Sequence, residues 1–143
     1  MGSAEIEGLR PEVISQASGV VLEIGAGSGY NLPFYKNISK LYALEPSREL
    51  SELAKSRDEG FSFPVEFISS FAESIPLPDK SVDTVVSTWT LCSMSEPQKV
   101  LAEVKRVLKP EGQFIFIDHG ISPRASVKFF QNLLTPVSKY FTG

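Results

Sequence analysis

At 143 residues the chain has the length of one domain, enough to bury roughly two-thirds of its unfolded surface. Its net charge of −3, with no cluster of Lys and Arg, argues against a nucleic-acid surface and leaves small molecules as the expected partners. Cys92 is the only cysteine, which excludes an intrachain disulfide, and no run of about 18 apolar residues is present to span a bilayer as a helix.

The N-terminus carries no charged-then-apolar leader pattern, so the expected location is cytoplasmic or organellar, with an upstream targeting segment left open. Residues 1–18 read as an N-terminal segment in which 9–18 form a short helix, Pro11 suiting its first turn and Gly19 stopping it. Residues 19–143 read as the domain proper. Val20-Val21-Leu22-Glu23-Ile24 is a β-branched, apolar run long enough for one buried strand, and it opens directly into Gly25-Ala26-Gly27-Ser28-Gly29. The pattern predicts a short helix over 31–40, with Pro33 near its start and its N-terminus aimed at whatever lies on the glycine loop.

Residues 40–44 predict a second strand ending at Glu45, and Pro46 at the first helical position opens a helix over about 47–57 that buries Leu50, Leu53 and Ala54. A third strand is expected over 64–68, a Pro-rich loop over 75–79, and a fourth strand over 83–88. Ser95-x-x-Gln98 has the form of a capping box, opening a helix whose apolar positions Val100, Leu101, Val104, Val107 and Leu108 repeat at helical spacing. Residues 109–112 end that helix, and 113–118 predict a fifth strand, apolar on both faces. Beyond it, Ser122-Pro123 reads as a cap and first turn of a helix bearing Val127, Phe130 and Leu134, and Pro136 starts a further short segment with Val137, Tyr140 and Phe141.

Strands alternating with helices predict an α/β fold with a parallel sheet covered on both faces, ligands binding beyond the carboxyl ends of the strands. The glycine loop lies at such an end. Its spacing is G-x-G-x-G, with Tyr30 where the dinucleotide fingerprint G-x-G-x-x-G requires its third glycine. Glu23 before the loop disfavours phosphate and suits a cationic group such as an ammonium or a sulfonium. Glu45 falls 20 residues after Gly25, where an acid can accept hydrogen bonds from both hydroxyls of a ribose.

The string Glu23-x-Gly25-x-Gly27-x-Gly29 resembles motif I of the class I methyltransferases that use S-adenosylmethionine. Four further stretches are similar to that family in order: residues 42–47, 71–83, 87–93 and 101–112. The similarity extends to the group typified by the ubiquinone and menaquinone methyltransferases, and the wording of 29–35 and 91–93 looks most like a thiol- and lipid-associated branch.

The resemblance implies a Rossmann-like, doubly wound sheet of order 3-2-1-4-5, lacking the last two strands usual in the family. The fifth strand is then an exposed apolar edge open to self-association. It also implies S-adenosylmethionine as cofactor, with Glu23 near the methionine ammonium and the backbone of Gly25, Ala26, Gly27 and Gly29 along the methionine. Tyr30 is counted with that loop. Glu45 and Pro46 are placed at the ribose, Phe71, Ala72 and Glu73 at the adenine, and Thr88 and Trp89 beside the reactive end. Phe71 departs from the family, which often has Asp at that place.

Methyl transfer from a sulfonium demands no metal and no covalent residue, and a base only where the acceptor must lose a proton. His119, the sole histidine, and Asp118 are the candidates for that role; Cys92 reads as a buried apolar thiol. The expected function is methyl transfer to a small, apolar acceptor. The alternative is a catalytically inactive, cofactor-binding regulatory or scaffold subunit. The aromatic terminal segment, with Arg124, Lys128 and Lys139, suggests contact with a membrane surface, against the simpler reading that it packs on the sheet.

Overall fold

A computed structural model describes the backbone of residues 3–57, 60–118 and 138–142, and the side chains of 7–57 and 60–118. In chain order the elements are helix α1 (Ser3–Ile14), strand β1 (Gly19–Ile24), a 3-10 turn (Leu32–Phe34), β2 (Ile38–Leu44), α2 (Arg48–Ser56) and β3 (Val65–Ile68). They continue with β4 (Val82–Thr88), a second 3-10 turn (Leu91–Ser93), α3 (Pro97–Val107), β5 (Leu108–Ile117) and β6 (Ser138–Thr142). The strands form one sheet in the order β3-β2-β1-β4-β5-β6, every pairing parallel. The expected 3-2-1-4-5 core is present, and its order reverses at β1, which pairs with β2 on one side and β4 on the other.

Alternation along each strand sends side chains to two separate cores. Leu22, Ile24, Val85, Phe114 and Phe116 meet Val100, Leu101, Val104 and Val107 of α3. On the other face Val21, Val86, Ile115 and Ile117 meet Val13 and Ile14 of α1, with Tyr35 and Phe63. Glu23 follows the parity of Val21, so a carboxylate enters the α1 side of the sheet.

Several local expectations are corrected. Helix α1 begins at Ser3, so Pro11 lies inside it, where its missing N–H removes the bond to the carbonyl four residues earlier. Residues 31–40 form no such helix: a three-residue turn carries Pro33, and Asn31 and Tyr35 turn inward instead. Ser47 is the N-cap of α2, its Oγ accepting the Leu50 N–H, so Pro46 stands before the cap rather than at the first helical position. Leu50 and Leu53 are 38% and 53% exposed, whereas Ser51 and Ala54 are buried. The reason is close approach: a Cβ on Gly29 would lie 3.2 Å from the Cα of Ala54, so only small side chains fit between α2 and the glycine loop.

Helix α3 is capped at Glu96 with no side-chain cap bond, so the Ser95–Gln98 capping box is not formed. Residues 109–112 belong to β5, as an irregularity between the Val82–Leu108 and Thr84–Gln113 pairs. The largest correction concerns the edge of the sheet. β6 runs parallel along β5 from Phe114 to Ile117, so β5 is an interior strand whose backbone groups are paired on both sides.

Candidate active site

The carboxyl ends of β1, β2 and β4 bring most of the expected residues together. After β1 the chain passes through Gly25, Gly27 and Gly29, with φ of 66°, 56° and 85°. A side chain at Gly25 would collide with Thr90 in the loop after β4, so that glycine lets the two loops touch. Gly27 has only the Gly25 carbonyl, 4.0 Å away, where a Cβ would stand, leaving bare backbone toward the space beside it.

Glu45, at the end of β2, is 8% exposed and braces this loop. Its Oε2 accepts the Gly27 N–H and its Oε1 the Ser47 N–H, both at 2.9 Å. Each oxygen keeps acceptor capacity for a further donor such as a sugar hydroxyl.

Beside it a cavity of about 480 Å³ is lined by Gly25, Gly27, Glu45, Pro46, Phe71, Ala72, Glu73, Thr88 and Trp89. Phe71 is 67% exposed and Ala72 buried, so the aromatic ring is available at the wall while the alanine anchors the loop. Leu50, Met94 and the serines at 70, 93 and 95 also line this space, residues the sequence analysis did not count among the site residues. Leu50 carried a signal of the wrong kind, since helical spacing reads an apolar residue as core.

A second cavity of about 200 Å³ adjoins the first and is lined by Glu23, Ala26, Ser28, Tyr30, Asn31 and Arg10, with Gly25, Gly27, Thr88 and Trp89 common to both. Glu23 is 2% exposed and accepts hydrogen bonds from the Asn31 side-chain amide and, at 2.9 Å, from the Tyr35 hydroxyl. Burial drives its pKa up to about 7, against the pull of Tyr35, Asn31 and Arg10. The same burial, with Glu23 alongside, raises the Tyr35 phenol well above its ordinary value. Asn31 also donates to Thr88 Oγ1 at 3.1 Å and accepts from Arg10 at 2.7 Å.

Gly29 faces α2 instead of either cavity's open space, and the Tyr30 ring, 62% exposed, lies 4.5 Å from the Arg57 guanidinium. Trp89 has a φ of 51°, unusual for a bulky residue, and its backbone N–H donates to the Ile117 carbonyl at 2.6 Å. Arg10, Asn31 and Tyr35 were missed as site residues because their roles depend on where α1 and the loop after β1 fold back.

Asp118 follows β5 and its Oδ2 accepts the Cys92 N–H at 2.9 Å, tying the end of β5 to the loop after β4. Cys92 is exposed, not buried: the turn at Leu91–Ser93 sends Leu91 inward and the thiol outward. Asp118 is the main cause raising the Cys92 thiol pKa. His119 and the aromatic segment 122–137 lie outside the described residues. Among those described, no cluster of His, Cys, Asp or Glu is arranged to hold a metal ion, and no helix is long and apolar enough to cross a membrane.

A sheet reversing at β1, a glycine loop after that strand and an acid at the end of β2 define the class I methyltransferase fold. The chain belongs to the methyltransferase domain family, whose pattern it matches over residues 22–116. Rat thiol S-methyltransferase TMT1B is 39% identical over 124 residues, covering 84% of this chain and 51% of the relative. The crystal structure of YcgJ from Bacillus subtilis superposes with a TM-score of 0.72 at 30% identity, over 92% of this chain and 57% of that one. A SAM-dependent methyltransferase from Aquifex aeolicus gives a TM-score of 0.69 at 27% identity, over 92% of this chain and 87% of that one. The chain spans about half the length of the curated relatives it matches.

Proposed function

We propose that this chain binds S-adenosylmethionine in the larger cavity and transfers its methyl group to a small, apolar acceptor. The observation that carries the reading is the convergence of loops from β1, β2, β3 and β4 on one cavity that combines a bare glycine backbone, a buried acid and an exposed aromatic ring. These residues fit the cofactor. The glycine backbone would accommodate its methionine portion, Glu45 would accept from the ribose hydroxyls, and Phe71 would stack on adenine, with Ala72 and Glu73 nearby for polar contacts. Pro46 lies beside the ribose position, and Thr88 and Trp89 beside the reactive end.

The cofactor supplies a methyl group on sulfonium sulfur, a leaving group that is already activated. What this chain's residues contribute is orientation and exclusion of water around an in-line approach. An acceptor thiol is favoured by the name of the rat relative, thiol S-methyltransferase. A thiol acceptor must lose its proton, and Asp118 or His119 is the group read as receiving it.

Titration calorimetry with S-adenosylhomocysteine, with NAD as control, tests the site. Selective micromolar binding is expected, followed by turnover on a panel of small thiols. Binding without turnover on any acceptor would favour a regulatory or scaffold subunit, and selective NAD binding would overturn the reading.

A further inference from the structure

The larger cavity joins two kinds of wall. Glu45 is buried, and each of its oxygens accepts one backbone N–H and keeps capacity for a further donor. Apart from Glu45 and the glycine loop, much of the lining comes from residues 70–73, which follow β3, and 93–95, which follow the second 3-10 turn. None of the polar side chains in these two stretches is buried: Ser70 and Glu73 are half-buried, and Ser93 and Ser95 are exposed. The hydroxyls of Ser70 and Ser93 donate within their own loops, to the carbonyls of Ser74 at 3.1 Å and Thr90 at 2.8 Å. What remains for a ligand to pack on is apolar: Phe71, 67% exposed, and Met94, with Leu50 reaching the same cavity from α2.

These walls select differently. A buried acceptor that a ligand leaves unpaired costs the desolvation of that group, so Glu45 makes the site strict about the donors it meets. A polar group in contact with water loses little when a ligand fails to pair with it, because solvent takes the empty place. Glu73, the one carboxylate in the two stretches, falls in this second class through its exposure. An aromatic face is tolerant as well, since every base presents a flat π-surface to it. Phe71 holds a base without reading the groups along that base's edge.

We propose that the chain recognises an adenosyl ligand by its sugar and by the face of its base, and leaves the exocyclic amine of the base unread, with Phe71 as the residue that sets this selectivity; this rests on the reading of the larger cavity as the S-adenosylmethionine site. Cofactor analogues substituted at that amine are then ligands of this chain, whereas analogues lacking a ribose hydroxyl are poor ones.

The test is calorimetric titration with three ligands: S-adenosylhomocysteine, its N6,N6-dimethyl analogue, which has no N–H at the amine, and its 2′-deoxy analogue. The wild-type chain is expected to bind the dimethyl analogue within about threefold of the parent, and the deoxy analogue at least about tenfold more weakly. Phe71→Ala should weaken the parent and the dimethyl analogue by the same factor, roughly five- to a hundredfold, the scale of stacking one base on an aromatic ring. Phe71→Asp, which puts an acceptor where the ring stood, should separate those two ligands by more than about tenfold. Because the Phe71 side chain is exposed, both variants should melt with the wild type. A greater loss than threefold for the dimethyl analogue on the wild type, or a deoxy analogue bound as tightly as the parent, overturns the proposal while the larger-cavity reading survives. The same holds for a Phe71→Ala chain of unchanged affinity, or a Phe71→Asp chain that still binds the two ligands alike. A wild-type chain that binds none of the three overturns that reading and this proposal together.

Discussion

Glu23 keeps its proton in a pH range where an exposed carboxyl has already lost it, and the sign of the consequence follows from linkage. With the folded-state pKa raised from 4.5 to about 7, the native state binds more protons than the unfolded state between those values. Its contribution to stability is fully present below pH 4.5 and is lost as pH rises through about 7. Urea unfolding should therefore show a decline on the order of 3 kcal/mol across that window, and Glu23→Gln should flatten it. A wild-type profile no steeper than that of the variant would dismiss the buried acid. Binding runs the other way, because an ammonium favours the ionised form: affinity for S-adenosylhomocysteine should rise between pH 6 and 8.

Glu45→Ala should weaken S-adenosylhomocysteine by roughly 1.5 to 3 kcal/mol, with thermal melting run alongside because the same carboxylate braces Gly27 and Ser47. Unchanged affinity in calorimetry would discard the ribose role. Both acids were legible from their spacing around the glycines. Arg10 was not, because its bond to Asn31 spans 21 positions in the chain and exists only once α1 has docked.

Among the helices, α3 holds the cavity wall through one residue pair. All five N–H donors of Arg106 are used at 2.8 to 2.9 Å: on the carbonyls of Ile75 and Leu77, on Asp79, and on both oxygens of Glu103. Glu103 in turn accepts the Ile75 N–H at 2.8 Å. The segment 75–79 is thereby fastened directly after the residues 71–73 that line the larger cavity. Arg106→Ala should lower stability by roughly 2 kcal/mol, since two carbonyls and two carboxylates lose a partner together. It should also weaken S-adenosylhomocysteine, because Phe71 and Ala72 lose their support. Equal affinity in a variant of lowered stability would show that the clamp serves folding alone.

Acid should loosen the same contact. Arg106 holds the Glu103 carboxyl below its ordinary 4.5, so the contribution is present above that value and is lost as pH falls below it. Helix α3 was readable because its apolar positions keep one period throughout. The helix expected over 31–40 was not formed, because Asn31 and Tyr35 satisfy the buried Glu23 and pull the chain inward. For α2 the period was right and Ala54 is buried as expected, but Leu50 and Leu53 are exposed, since contact with the glycine loop demanded small residues.

Over the whole sheet, the parallel arrangement covered on both faces could be read from the alternation of strands and helices, and the order of the first five strands from the resemblance to the methyltransferases. The sixth strand could not. Its residues lack a glycine-bounded β pattern, and what places them is the unpaired edge of a distant strand. That edge is highly apolar: Phe114, Ile115, Phe116 and Ile117 are each no more than 5% exposed. Phe114 pairs with Ser138, Ile115 with Tyr140, Phe116 with Phe141 and Ile117 with Thr142, so a row of backbone donors and acceptors is closed within the chain. Removing residues 138–143 should reopen it. A bare apolar edge strand pairs with another copy, so the shortened chain is expected to sediment as larger, concentration-dependent species than the full chain under the same conditions. Because the glycine loop, Glu45 and the α3 clamp all lie away from β6, the shortened chain should retain S-adenosylhomocysteine binding at low concentration. Identical sedimentation of the two chains would mean that the edge of β5 needs no cover and that β6 contributes nothing to keeping copies apart.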